Sequence, residues 1–155
     1  MNTFILFVYL LFVVAPLSNL VHELGHLIGA KLAKADSITL LHGRGRTVQQ
    51  FSFKNINIQF GWLFFTTGLT KSNREQAYHP NEKIYISFMG PFFNGIIVFI
   101  FYFLYQLLPN AYISLVVLYN SWLFIMNIIP FKIGKQRSDG YIIIREIFRK
   151  MYTSR

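Results

Sequence analysis

Three stretches of this sequence, residues 3–21, 84–108 and 111–130, each run 19 residues or longer without a single Lys or Arg. A hydrocarbon core about 30 Å thick takes roughly 20 apolar residues of helix to cross. All three stretches are long enough. The chain has only 155 residues, 54% of them hydrophobic and 18% aromatic. So short a chain cannot hide that much apolar surface in a soluble core, so lipid is expected to be part of the solvent. The expected fold class is an α-helical integral membrane protein with three transmembrane helices, forming one membrane-embedded domain over residues 1–155.

The net charge is +9, and its placement matters more than its size. Eight basic residues (Lys31, Lys34, Arg44, Arg46, Lys54, Lys71, Arg74, Lys83) lie between the first and second spans, and seven (Lys132, Lys135, Arg137, Arg145, Arg149, Lys150, Arg155) follow the third. The positive-inside rule puts both groups in the cytoplasm and the amino terminus outside. The expected location is the cell membrane, of the bacterial plasma-membrane type. Positive charge is then a topology signal, and secondarily an attraction to lipid headgroups. Nucleic acid is not an expected partner. Residues 1–18 lack the positive n-region of a cleaved signal peptide. Pro16 is instead expected to kink a long first helix that continues to about Ala33.

Between the first two spans, residues 51–60 alternate apolar and polar on either side of Lys54-Asn55, the pattern of a short β-hairpin. Residues 61–69 are apolar but too short to cross, which predicts an interfacial or re-entrant segment. Residues 72–82 are polar and read as an exposed loop. Residues 139–152 read as a C-terminal amphipathic helix. Ile143, Ile144, Ile147, Phe148 and Met151 share one face opposite Arg145, Arg149 and Lys150, which suits a helix lying on the inner leaflet.

Chemistry concentrates in His22-Glu23-Leu24-Gly25-His26, an H-E-x-x-H run inside an apolar helix. Positions i and i+4 lie one above the other on a helix, so both imidazoles can face one metal ion. Glu23, one residue along, can take a proton from a water that zinc has acidified. Three ionisable residues within five positions of a membrane helix are costly unless they function. A helix rises about 28 Å from Thr3 to His22, which places the motif towards the far face, where water can reach it.

A catalytic zinc normally takes three protein ligands and keeps one position open. The chain has no cysteine, so the third ligand must be His or a carboxylate. Besides Glu23, the acids are Asp36, Glu75, Glu82, Asp139 and Glu146. Asp139 opens the tail helix just past the third span, on the same side as His26, although Asp-Gly is also an ordinary turn dipeptide. His42 and His79 read as loop residues.

These motifs, with Gly90-Pro91-Phe92-Phe93-Asn94-Gly95 in the second span and Asn127-Ile128-Ile129-Pro130 followed by Ser138-Asp139-Gly140, resemble the site-2 protease family. The resemblance covers nearly the whole chain, as the family's minimal three-helix core. It implies an intramembrane zinc metalloprotease (cofactor Zn2+) in which His22, His26 and Asp139 bind the metal and Glu23 is the general base. It further implies that Asn127 helps hold the substrate backbone and that Asn94 serves substrate contact or core packing. The implied partners are the lipid bilayer and a transmembrane or membrane-associated peptide substrate, cleaved near the cytoplasmic face; the oligomeric state is not implied. A hairpin over residues 48–60 would present the substrate. In one respect the sequence departs from the pattern: Ser138 stands where the family has Leu, and eight residues, 131–138, separate Pro130 from Asp139.

Two rivals carry different expectations. A catalytically inactive homologue, acting as an immunity or partner-binding membrane protein, would have no need of Glu23. A metal transporter would need further ligands along the spans, and spans two and three contain no His or carboxylate.

Overall fold

The computed structural model describes residues 2–134 and 136–153; Lys135 and Arg155, two of the tail's basic residues, lie outside them. The chain is mostly helical. Three of its helices, Thr3–Leu32, Pro80–Leu107 and Ala111–Ile128, are long and apolar enough to cross a membrane.

The first of these is built in three parts: α1 (Thr3–Tyr9), a π-helical turn (Leu10–Val14) and α2 (Ala15–Leu32). Asn2 starts it by accepting a hydrogen bond from Phe4 N at 3.0 Å. At the π turn the Ala15 N–H reaches back five residues to Leu10 O. Pro16 follows at once; it has no N–H to give, and its ring crowds the carbonyl four residues back, so the wider turn accommodates what a regular α-helix would not.

The second spanning helix, α3 (Pro80–Leu107), packs closely on α2 through glycine. A Cβ on Gly25 would overlap the Met89 carbonyl, and one on Gly29 would stand 3.0 Å from Ile86 Cα. Small residues four apart let two helix backbones approach where lipid offers no hydrophobic drive. Arg74 ties the helix ends together: it donates to Ala33 O at 2.7 Å and to both Glu82 carboxylate oxygens at 2.8 and 2.7 Å. The third spanning helix, α4 (Ala111–Ile128), is capped by the Asn110 side chain, which accepts from Ile113 N at 3.0 Å.

Strands β1 (Ser37–Phe53) and β2 (Ile56–Asn73) form an antiparallel hairpin far longer than the ten-residue alternation suggested. Residues 38–42 pair on one side with 68–72 and on the other with 56–60. Their inward side chains, Ile38 and Leu40, join Leu27, Ala30 and Ala35 in a buried cluster against α2. Residues 61–69, expected as an interfacial or re-entrant segment, are part of strand β2. Hydrogen bonding decided their conformation, because β1 supplies a partner to a segment rich in aromatic and β-branched residues. Their position does run alongside the first span. Phe12 lies 5.7 Å from Phe65 and 6.4 Å from Phe64, ring to ring.

After α4, the eight residues before Asp139 fold on themselves. Strands β3 (Lys132–Ile133) and β4 (Gln136–Arg137) pair, and Gly134 turns between them at φ +58°. Ser138 closes the loop. Its N–H donates to Phe131 O at 3.1 Å, and its hydroxyl donates to Ile129 O at 2.8 Å and accepts from Phe131 N at 3.0 Å. The same oxygen accepts from Tyr141 N at 3.1 Å, which caps α5 (Asp139–Thr153). Helix α5 packs on α3 with Glu146 as its deeply buried residue, bonded to Arg145 at 2.7 Å. Ile144, Ile147, Phe148 and Met151 stay exposed, so the apolar face faces outward from the protein.

Candidate metal centre

Glycine again sets the spacing at the site. Gly90 of α3 lies against the His22 and His26 rings, where a Cβ would overlap both imidazoles. His26 Nδ1 lies 2.9 Å from Ile86 O; a carbonyl only accepts, so this ring nitrogen carries the proton. His22 Nδ1 lies 2.7 Å from Asn94 Oδ1. In neutral rings with those nitrogens protonated, both Nε2 lone pairs are left to face the same point.

Asp139 faces that point from the first turn of α5. His22 Nε2 lies 3.2 Å from Asp139 Oδ2, His26 Nε2 lies 3.3 Å from Asp139 Oδ1, and the two Nε2 atoms are 3.1 Å apart. Three acceptors at that range repel one another unless a cation or protons sit among them. Nitrogen and oxygen ligands about 2.1 Å from a tetrahedral zinc stand about 3.4 Å from each other, so the donor set fits that ion. Among the described residues these three form the group able to hold a metal ion.

Three of the other carboxylates are engaged elsewhere. Asp36 accepts from Glu75 N, Glu82 is paired with Arg74, and Glu146 with Arg145. Glu23, next to His22, is 8% exposed and its side chain packs against Gly68 of β2, where any Cβ would overlap it. Thr70 of the same strand donates to Glu23 O at 3.1 Å. The hairpin is therefore seated on the turn of α2 that carries the motif.

Of the two asparagines that the resemblance implied, Asn94 takes the core-packing alternative, and Asn127 stands near the end of α4. Asn94 is fully buried, and its oxygen is used by His22, so it stands behind a ligand with no atom facing outward. Asn127 lies in the last turn of α4, and its amide donates to Leu123 O at 2.8 Å within its own helix. Gly68 went unnoticed in the sequence, and Ser138 was noticed only as a departure from the family's Leu, because a single Gly in a strand or Ser before a helix carries no sign of what it touches.

The two remaining histidines are not loop residues in the simple sense expected. His79 caps α3. His42 lies in β1, 4% exposed, opposite Gly68 and 5.9 Å from the Phe60 ring, and its Nδ1 has no hydrogen-bond partner. Burial pushes its imidazole below the ordinary 6.5. The unfolded chain then takes up this proton at a higher pH than the folded one. Stability from His42 is thus complete above pH 6.5 and is lost as pH falls through the lower folded value. The melting temperature should drop between pH 7 and pH 5 more steeply for the wild type than for His42→Leu; equal slopes would assign the effect to other groups.

The sequence model of peptidase family M50 matches residues 6–112, more than two thirds of the chain. No curated protein matches it. The matched region contains the H-E-x-x-H run and Asn94 but ends before Asn127 and Asp139, so Asp139 enters the centre on geometry alone.

Proposed function

Because this chain belongs to peptidase family M50, we propose that it is a zinc-dependent intramembrane endopeptidase acting on transmembrane or membrane-associated peptides near the cytoplasmic face. The observation that carries this reading is the convergence of His22, His26 and Asp139 from two separate helices, beside a carboxylate that is not among them.

His22 and His26 hold the metal through Nε2 and Asp139 through its carboxylate. Zinc, when bound, supplies Lewis acidity that lowers the pKa of a water and polarises the scissile carbonyl. Glu23 accepts the proton of the attacking water on its carboxylate and delivers it to the leaving nitrogen as the C–N bond breaks. Gly68 leaves the Glu23 side chain room against β2. A helical substrate hides its carbonyls in its own hydrogen bonds and must unwind before it reacts. The edges of the hairpin offer backbone groups to such an extended segment, and strand addition is the interaction they suit. The amino terminus faces outward in this reading, and α5 rests its exposed apolar face on the inner leaflet.

The test is bound-metal analysis combined with cleavage of candidate membrane peptides by the purified protein. One zinc per chain is expected, with cleavage abolished by a chelator and restored by zinc. Asp139→Asn should weaken zinc binding by more than the ~10–100-fold typical of residues that merely support a ligand. Normal zinc content and normal cleavage in Asp139→Asn would remove Asp139 from the ligand set.

A further inference from the structure

Behind His22, three helices meet through polar side chains that are cut off from water. Asn94 of α3 and Asn120 of α4 are 0% exposed, and Ser18 of α2 is 5% exposed. A buried amide is costly unless its two N–H donors and its oxygen all find partners. Here they do, and the partners dictate which way each amide points.

The chain of bonds starts at a backbone carbonyl. Val116 O can only accept, so the Asn120 nitrogen must face it, at 2.9 Å. The same nitrogen gives its second N–H to Ser18 Oγ at 2.8 Å. Asn120 Oδ1 is then left facing Asn94, whose nitrogen donates to it at 2.9 Å. A second backbone carbonyl, Ser18 O, takes the other Asn94 N–H at 3.3 Å. Asn94 Oδ1 is thereby turned towards His22 Nδ1, 2.7 Å away, and an oxygen in that place accepts only a nitrogen that bears hydrogen. Flipping either amide would set an oxygen against a backbone oxygen.

We propose that Asn94 and Asn120 are positioning residues: their one-way chain of hydrogen bonds, anchored on the carbonyls of Ser18 and Val116, fixes neutral His22 in the tautomer with hydrogen on Nδ1. Only that tautomer offers the Nε2 lone pair to the centre shared with His26 and Asp139. Through Asn120, helix α4, which supplies no ligand, takes part in setting up the metal site. Partners that orient a ligating imidazole in this way are typically worth 10–100-fold in metal affinity.

The inference rests on His22 being a metal ligand, and the experiment separates the two claims. Imidazole 15N spectra of the metal-free, full-length protein in detergent report the tautomer directly, with His22 assigned by the signal missing from His22→Asn. Hydrogen on Nδ1 is expected in the wild type, with or without a second proton on Nε2 in place of the metal. Asn94→Leu and Asn120→Leu should show a mixture of tautomers and bind zinc about 10–100-fold more weakly in a competition assay. Asn94→Asp retains an acceptor at Nδ1 but sets an oxygen against Ser18 O and Asn120 Oδ1, so it should keep the tautomer while losing stability. An Nε2–H form in the wild type overturns the proposal, and this measurement stands even if a Leu variant does not fold. So does a Leu variant with the wild-type tautomer, or Asn94→Asp losing the tautomer as Asn94→Leu does, since the role would then be packing. A wild type that shows the Nδ1–H form but takes up no zinc removes the metal reading and leaves the relay in place.

Discussion

Glu23→Gln is expected to keep its zinc and its fold while cleavage falls by about 10²–10⁴-fold, the usual contribution of a positioned general base. Gln matches Glu in shape, and the Glu23 side chain is held chiefly by packing against Gly68. The variant should therefore occupy the same space. Its amide cannot accept the proton of the attacking water. Glu23 also lies outside the His22, His26 and Asp139 group, so metal affinity has no reason to change. Measuring zinc stoichiometry and single-turnover cleavage on the same preparation separates loss of the base from loss of the ion. Undiminished cleavage would move the base to another residue. An unchanged biological effect in cells would favour an inactive, partner-binding homologue.

Gly140→Ala is expected to empty the metal centre although Gly140 carries no functional atom. The first turn of α5 passes so close to the end of α4 that a Cβ at this position would overlap the Ile128 carbonyl. Neither side of that contact is a flexible side chain, so one helix end must move. Asp139 is the adjacent residue and would move with it. A displacement of about 1 Å is enough to cost ~10²-fold in rate, and a dislodged ligand also costs affinity. Gly134→Ala provides the contrast. Gly134 has positive φ but open space around it, so that substitution strains only the small loop and should leave zinc content untouched. Full zinc occupancy in Gly140→Ala would show that α5 can tilt without losing Asp139.

What could be read from the sequence follows from the physics of each part. The three long apolar helices were legible because lipid leaves helices little alternative; the ends of the second and third differ from the apolar runs by only a few residues, and the first runs past its apolar stretch to Leu32, close to the expected end at about Ala33. His22 and His26 were legible because a local spacing of four puts them on one face. Asp139 was not local. Its approach depends on Ser138 tying Phe131 and Ile129 together across the loop, which no spacing rule foretells. The conformation of the 61–69 segment was left open because composition alone does not reveal that its partners, residues 41–47, lie in the preceding strand. Asn94 was picked out as unusual, with core packing as one of its two expected roles, but its neighbours were not foreseen: a buried amide declares that it needs partners, not which ones. Asn120, equally buried, drew no attention at all, since an Asn in a membrane helix has many ordinary uses.

The paired strands between Phe131 and Ser138 separate length from position. Because Ser138 pins the loop at its base, residues can be gained, lost or recharged at its tip while the carboxylate that follows stays where it is. In this chain the eight residues between Pro130 and Asp139 are therefore no bar to the aspartate reaching the centre.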